Sequence, residues 1–136
     1  MYAAHKAAGG MPSIYRQVGI ACERLFRAVV RDSLNLSEDQ VAWGYDVETQ
    51  PGKTRRLTLD ARIDGAHLKD AKRKRNLTDW LARSAEAVHL PAARAKAIKG
   101  AVFEVRQGYK SADSKRQNAD LAFGLKAYSE NYLPVF

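Results

Sequence analysis

Glu104 and Arg106 stand two residues apart in Phe103-Glu104-Val105-Arg106, and Asp60, Arg62 and Asp64 are spaced the same way in Asp60-Ala61-Arg62-Ile63-Asp64. If both tracts are strands, alternate side chains share a face, so each strand sets carboxylate beside cation. If the strands are neighbours, Asp60 and Glu104 can meet. Two such carboxylates suit Mg²⁺, a hard cation that prefers oxygen ligands. The ion would lower the pKa of a bound water and offset charge on a phosphate, while an adjacent cation steadies the transition state. That is the chemistry of phosphodiester hydrolysis. The same alternation also makes a solvent-facing ion pair, worth about 0.2–1 kcal/mol, and Glu23 can pair with Arg27 one helical turn on.

These residues need elements to hold them. From Pro12 to Asp32, Ile14, Val18, Ala21, Cys22, Leu25, Phe26, Val29 and Val30 recur at spacings of three and four, predicting an amphipathic helix with Cys22 on its apolar stripe. Asn35 to Gln40 reads as a turn. Val41, Trp43, Tyr45 and Val47 then alternate with other residues, Pro51-Gly52 marks a turn, and Leu57, Leu59, Ala61 and Ile63 alternate again, which predicts a hairpin. Trp43 and Tyr45 share a face and read as packing residues. Asn76 is placed to cap a helix through Val88, with Leu77, Leu81, Ala85 and Val88 as its stripe. Pro91 starts a second helix to Ile98, and Gly100 can stop it. Ala101 to Gln107 predicts a strand and Gly108 to Ala112 a loop, after which Asp113 or Ser114 caps a helix carrying Leu121, Gly124, Leu125 and Tyr128 on one face. The apolar ending Leu133-Pro134-Val135-Phe136 reads as the start of another strand, as in a fragment truncated at its C-terminus.

The 136 residues carry 23 Lys or Arg against 15 Asp or Glu, a formal charge of +8. The excess is local. Residues 53–75 hold nine cations (Lys53, Arg55, Arg56, Arg62, Lys69, Lys72, Arg73, Lys74, Arg75) against three acids, +6 in one segment. A second cluster, Arg106, Lys110, Lys115 and Arg116, doubles the footprint if folding joins the two. A polyanion is the natural partner, bound through counterion release. Lys69, Lys72, Arg73, Lys74, Arg75, Lys115 and Arg116 are the candidate phosphate grip, and Gln107 and Tyr109 are candidates for touching nucleic acid. Gln117 reads either as a base contact or as a solvated helix residue. His5, His67 and His89 show no metal-ligand spacing. The single cysteine rules out an internal disulfide and suits a reducing cytoplasm. Apolar runs fall far short of the ~20 residues of a membrane span, so no membrane partner is expected. One domain over residues 1–136 is expected, with 65–100 as a helical insertion.

The order helix, strand, strand, strand, helix, strand, with an acid on the second strand and Glu-x-basic on the third, resembles the PD-(D/E)XK nuclease superfamily, which includes many type II restriction endonucleases. The tract from Phe103 through Lys110 into Ser111-Ala112-Asp113-Ser114-Lys115-Arg116-Gln117 looks like the catalytic strand and following helix of those enzymes. The likeness spans most of the chain in topology and about twenty residues in detail. It implies an α/β, restriction-endonuclease-like core, a mixed central sheet flanked by helices, and Mg²⁺-dependent cleavage of double-stranded DNA, often by a homodimer. Glu104 matches the second acid of the motif, Asp60 the first and Arg106 the lysine, while Glu23 resembles the glutamate of the first helix. Two departures stand out. Asp60 lacks a preceding Pro and lies 44 residues before Glu104, leaving Asp46, Glu48 and Asp64 as rivals. Arg106 is always protonated and cannot act as a base, although it can stabilise charge. Either Lys110 supplies a migrated ammonium, or the chain is a non-catalytic, basic DNA- or RNA-binding relative. A domain whose basic face docks an acidic protein is the third class.

Overall fold

Gly52, at φ 77°, turns the chain between two antiparallel strands, a conformation glycine adopts without the steric cost a side chain would bring. The computed structural model describes the backbone of residues 2–105 and 114–136, and the side chains of 14–48, 50–105 and 117–136. Its elements are α1 (Tyr2–Leu34), α2 (Glu38–Val41), β1 (Trp43–Gln50), β2 (Lys53–Leu59), β3 (Ala61–Asp64), a 3-10 turn (Gly65–His67), α3 (Ala71–Ala87), α4 (Ala92–Ala97), β4 (Gly100–Phe103), α5 (Ser114–Ser129) and β5 (Tyr132–Val135). The class is mixed α/β. β1 and β2 form one antiparallel sheet; in the other, β4 lies between antiparallel β3 and parallel β5.

The expected single central sheet is therefore two small ones, and the break falls at Asp60. The Asp60 amide donates to the Phe103 carbonyl at 3.0 Å although Ala61 is already the partner of Phe103. Two residues facing one make a β-bulge, which bends the strand and re-aims its side chains. Alternation slips by one as a result. Leu59 packs with Trp43, Tyr45, Val102, Phe123, Ala127 and Tyr132, whereas Ala61 packs with Val30 and Val41. The expected common face of Asp60, Arg62 and Asp64 is thus corrected: Asp64 bonds Tyr132, and Asp60 lies by α1.

The helices depart from expectation for local reasons. The α1 stripe that reaches the core is Phe26, Val30 and Leu34, while Ile14, Val18, Leu25, Val29 and Cys22 are exposed. Asn35 to Gln40 includes the start of α2 rather than only a turn, because Ser37 and Gln40 close a reciprocal capping box. Asp70, not Asn76, caps α3 by accepting the Arg73 amide at 2.7 Å, so the basic run Lys72 to Arg75 is helical. α5 packs through Phe123 and Ala127, leaving Leu121 and Leu125 exposed. The 3-10 turn, α3 and α4 lie between β3 and β4, with Gly100 already in β4, and the terminal apolar run forms β5. Among the described residues no helix is long and apolar enough to cross a membrane.

Candidate functional site

The bulge puts a carboxylate where the two sheets part. Asp60 is 7% exposed, and its Oδ2 accepts the Val105 amide, one residue past Glu104, at 2.5 Å. Burial of a carboxylate is tolerated only with such bonds. Arg27 fixes the bend from α1, its Nε donating to the Asp60 carbonyl at 2.7 Å and its Nη2 to the Leu59 carbonyl at 2.8 Å. Geometry of this kind suits the rigid guanidinium fork. Arg27 thus braces the strand as well as facing Glu23.

Glu23 comes to the same place from α1. Burial and then the Asp60 charge raise its pKa, and Arg27 pulls it partly back. Glu104 follows the last residue of β4, its amide held by the Val135 carbonyl at 2.9 Å. The Tyr45 hydroxyl registers its charge: burial first, then Glu104 and Asp120, push that pKa up. Glu23 and Asp60 thus face each other beside α1, while Glu104 and Asp120 each act on the Tyr45 hydroxyl, and the Val105 amide links the Asp60 carboxylate to the backbone just past Glu104. Such like-charge crowding in a partly buried place favours either a proton or a cation. Carboxylate oxygens are the donors a hard divalent ion prefers, and Mg²⁺ commonly takes only one or two from protein, keeping waters and phosphate oxygens for the rest. Among the described residues no three Asp, Glu, His or Cys side chains gather as a metal cage.

The rival acids have structural duties. Asp46 pairs with Arg56 at 3.6 Å, Glu48 accepts the Gly52 amide of the turn at 3.2 Å, and Asp64 accepts the Tyr132 hydroxyl at 2.6 Å. Arg106, Gln107, Tyr109 and Lys110 lie outside the described residues, as do the side chains of Lys115 and Arg116. Lys69, Lys72, Arg73, Lys74 and Arg75 are exposed at the start of α3, and none is ion-paired to a described residue. Arg62 differs: its guanidinium donates to the Gln40 and Asp39 carbonyls at 3.1 and 3.0 Å and holds α2.

Sequence reasoning names Glu23 and Asp60, which the fold sets against each other, and Glu104, whose charge acts on Tyr45; it misses the brace by Arg27 and the position of Asp120. Arg27, one turn from Glu23, carried a visible signal. Asp120 carried none, because its position depends on how α5 crosses from β4 to β5. Comparison with known protein families, curated proteins and solved structures finds no match for this chain.

Proposed function

We propose that this protein is a Mg²⁺-dependent DNA endonuclease of the restriction type. The observation that carries the reading is the placement of buried Asp60 at a strand bulge, bonded to the amide that follows Glu104, with Glu23 brought beside it from α1. The element order also supports it, since an acid on the second strand segment faces the end of an antiparallel strand that leads through a helix to a parallel one.

Asp60 and Glu104 are the residues that would hold the ion, with Glu23 at its border. A bound divalent ion supplies an acidified water and offsets phosphate charge. Arg27 keeps the Asp60 backbone in its bent position, so the carboxylate needs little reorganisation. Arg106 or Lys110 is assigned the transition-state charge, and Lys69 to Arg75 the flanking phosphates. In hydrolysis water oxygen bonds phosphorus as the ester P–O bond breaks, and the leaving oxygen takes up a proton. A homodimer would present two such sites to two strands.

Incubating plasmid with protein, with and without EDTA, tests the reading. Metal-dependent nicking is expected, with a loss of about 100-fold or more in Glu104→Gln and Asp60→Asn, a size typical of removing one charge-stabilising group. Circular dichroism and thermal melts show whether each variant is folded. Full activity in folded Glu104→Gln, or no cleavage by wild type, counts against it. A second reading, a non-catalytic nucleic-acid binder, draws on the exposed α3 cations without described ion-pair partners and on Arg106 in place of lysine. It expects salt-sensitive binding that EDTA leaves unchanged.

A further inference from the structure

Phe103, whose carbonyl receives the Asp60 amide, also forms the wall of a cavity of about 370 Å³ with Leu77 and Trp80. This volume lies near the lower end of the ~300–1,000 Å³ usual for small-ligand pockets. The wall is mostly apolar, and its polar members are Arg73 and Asn76, both exposed. The Trp80 and Phe103 rings are nearly parallel, 19° between planes and 6.4 Å between centroids, and both are only partly buried. On α3, Arg73, Leu77 and Trp80 follow at spacings of four and three, which sets them along one side of the helix. The same helix begins in the basic run Lys69 to Arg75.

An aromatic cavity thus opens beside a run of cations and shares Phe103 with β4, the strand that ends just before Glu104. An occupant must bring a flat apolar face and a nearby negative charge. A peptide side chain brings only one of these at a time, and a closed duplex buries its base faces. A nucleotide with its base unstacked brings both, by the logic of stacking platforms in charged grooves. We propose that the cavity receives an unpaired base of a single DNA strand, with Trp80 as the stacking surface, Asn76 at the base edge and Arg73 on the adjoining phosphate. The proposal rests on the nucleic-acid reading above and directs it to strands that are single or locally opened next to the acids.

The test titrates the full chain in EDTA with a single-stranded oligonucleotide, an abasic strand of the same length and a blunt duplex. Trp43 is buried at 6% exposure, so quenching of indole emission reports Trp80. The base-bearing strand is expected to quench and to bind about 5- to 100-fold more tightly than the abasic strand. Trp80→Leu should remove that advantage and leave abasic affinity unchanged, and Trp80→Phe should restore most of it. If Trp80→Leu does not fold, the wild-type comparison of the two strands decides alone. Equal affinity for both strands, without quenching, overturns the cavity assignment while the nucleic-acid reading survives. Quenching on raising protein concentration alone gives the cavity to a second copy and also overturns it. Failure to bind any of the three at low salt removes both readings.

Discussion

Asp60 and Asp64 are both buried, yet the bulge between them sends them to different work. Asp60 takes an amide beside Glu104, whereas Asp64 accepts the Tyr132 hydroxyl at 2.6 Å and the Ala66 amide at 2.9 Å. Burial pushes the Asp64 pKa up, but the bonds from Tyr132 and Ala66, with the fields of His67 and Lys99, bring the net result below the usual carboxylate value. Burial first, and then Asp64, push Tyr132 from 10.0 to about 12. The signs follow from linkage. A depressed carboxylate stabilises the fold above its unfolded pKa and loses that contribution as pH falls through the folded value. A raised phenol stabilises the fold below 10.0 and loses it as pH climbs from there to about 12. Tyr132→Phe should abolish this alkaline loss and move the acid loss to higher pH. It should also cost about 1–3 kcal/mol at neutral pH, because Asp64 loses a buried partner. Thermal melts across pH check all three. An alkaline limb unchanged in Tyr132→Phe would show that another group carries it.

At the scale of elements, the contact between β3 and β4 is what holds the candidate site together, and Gly100 sets how closely they approach. A Cβ there would lie 2.1 Å from the Ile63 carbonyl oxygen and 3.0 Å from the Asp64 Cα, backbone atoms that cannot swing aside. Gly100→Ala should cost about 1–3 kcal/mol or more. It should also lower any nuclease activity more than the fraction unfolded explains, as Asp60 is prised from Val105. Denaturant titration beside a cleavage assay separates the two effects. Wild-type stability in the variant would mean that the strands adjust freely. The sequence reads Gly100 as a helix stop, but α4 ends earlier, at Ala97. The hairpin, the two insertion helices and the closing strand are legible, because period two and period 3.6 leave plain traces and Pro51-Gly52 and Pro91 punctuate them. The bulge is not. Leu57, Leu59, Ala61 and Ile63 alternate straight through it, and it arises because one chain segment must serve β1 on one stretch and β4 on the next. Asp70 and Asn76 are equally good cap types, and only the fold chooses between them. Two apolar faces on α5 leave the same ambiguity, resolved by Phe123 and Ala127 reaching the core under Trp43. Strand spacing singles out Asp60 and Glu104, but it does not show that Asp60 falls at the bulge or that Glu104 follows the end of β4, and a crossover decides the position of Asp120.

For the whole molecule, a charge of +8 matters less than where positive charge is left unbalanced. Arg31 is paired with Asp32 and Glu38, Arg56 with Asp46 and Lys126 with Glu130. The cations of residues 69–75 have no ion pair to a described residue, and the first turn of α3 contains no acid. A helix N-terminus already carries partial positive charge, so cations there oppose the macrodipole at a cost of about 0.3–1 kcal/mol each. Folding alone would favour Asp or Glu in these positions. The proposed function assigns them instead to holding phosphates. That assignment makes a prediction in which stability and binding move in opposite directions. Lys72→Ala should raise stability by a few tenths of a kcal/mol, up to about 1, since alanine is also the better helix former. The same substitution should weaken DNA binding and reduce the slope of log K against log salt by about 0.9 if Lys72 contacts one phosphate. Arg56→Ala removes equal charge from a paired surface position and should move the slope less. Anisotropy titrations over a salt series, set beside denaturation midpoints, measure both quantities. If Lys72→Ala destabilises the chain and leaves the slope unchanged, the start of α3 is an ordinary solvated helix end and the phosphate grip lies elsewhere.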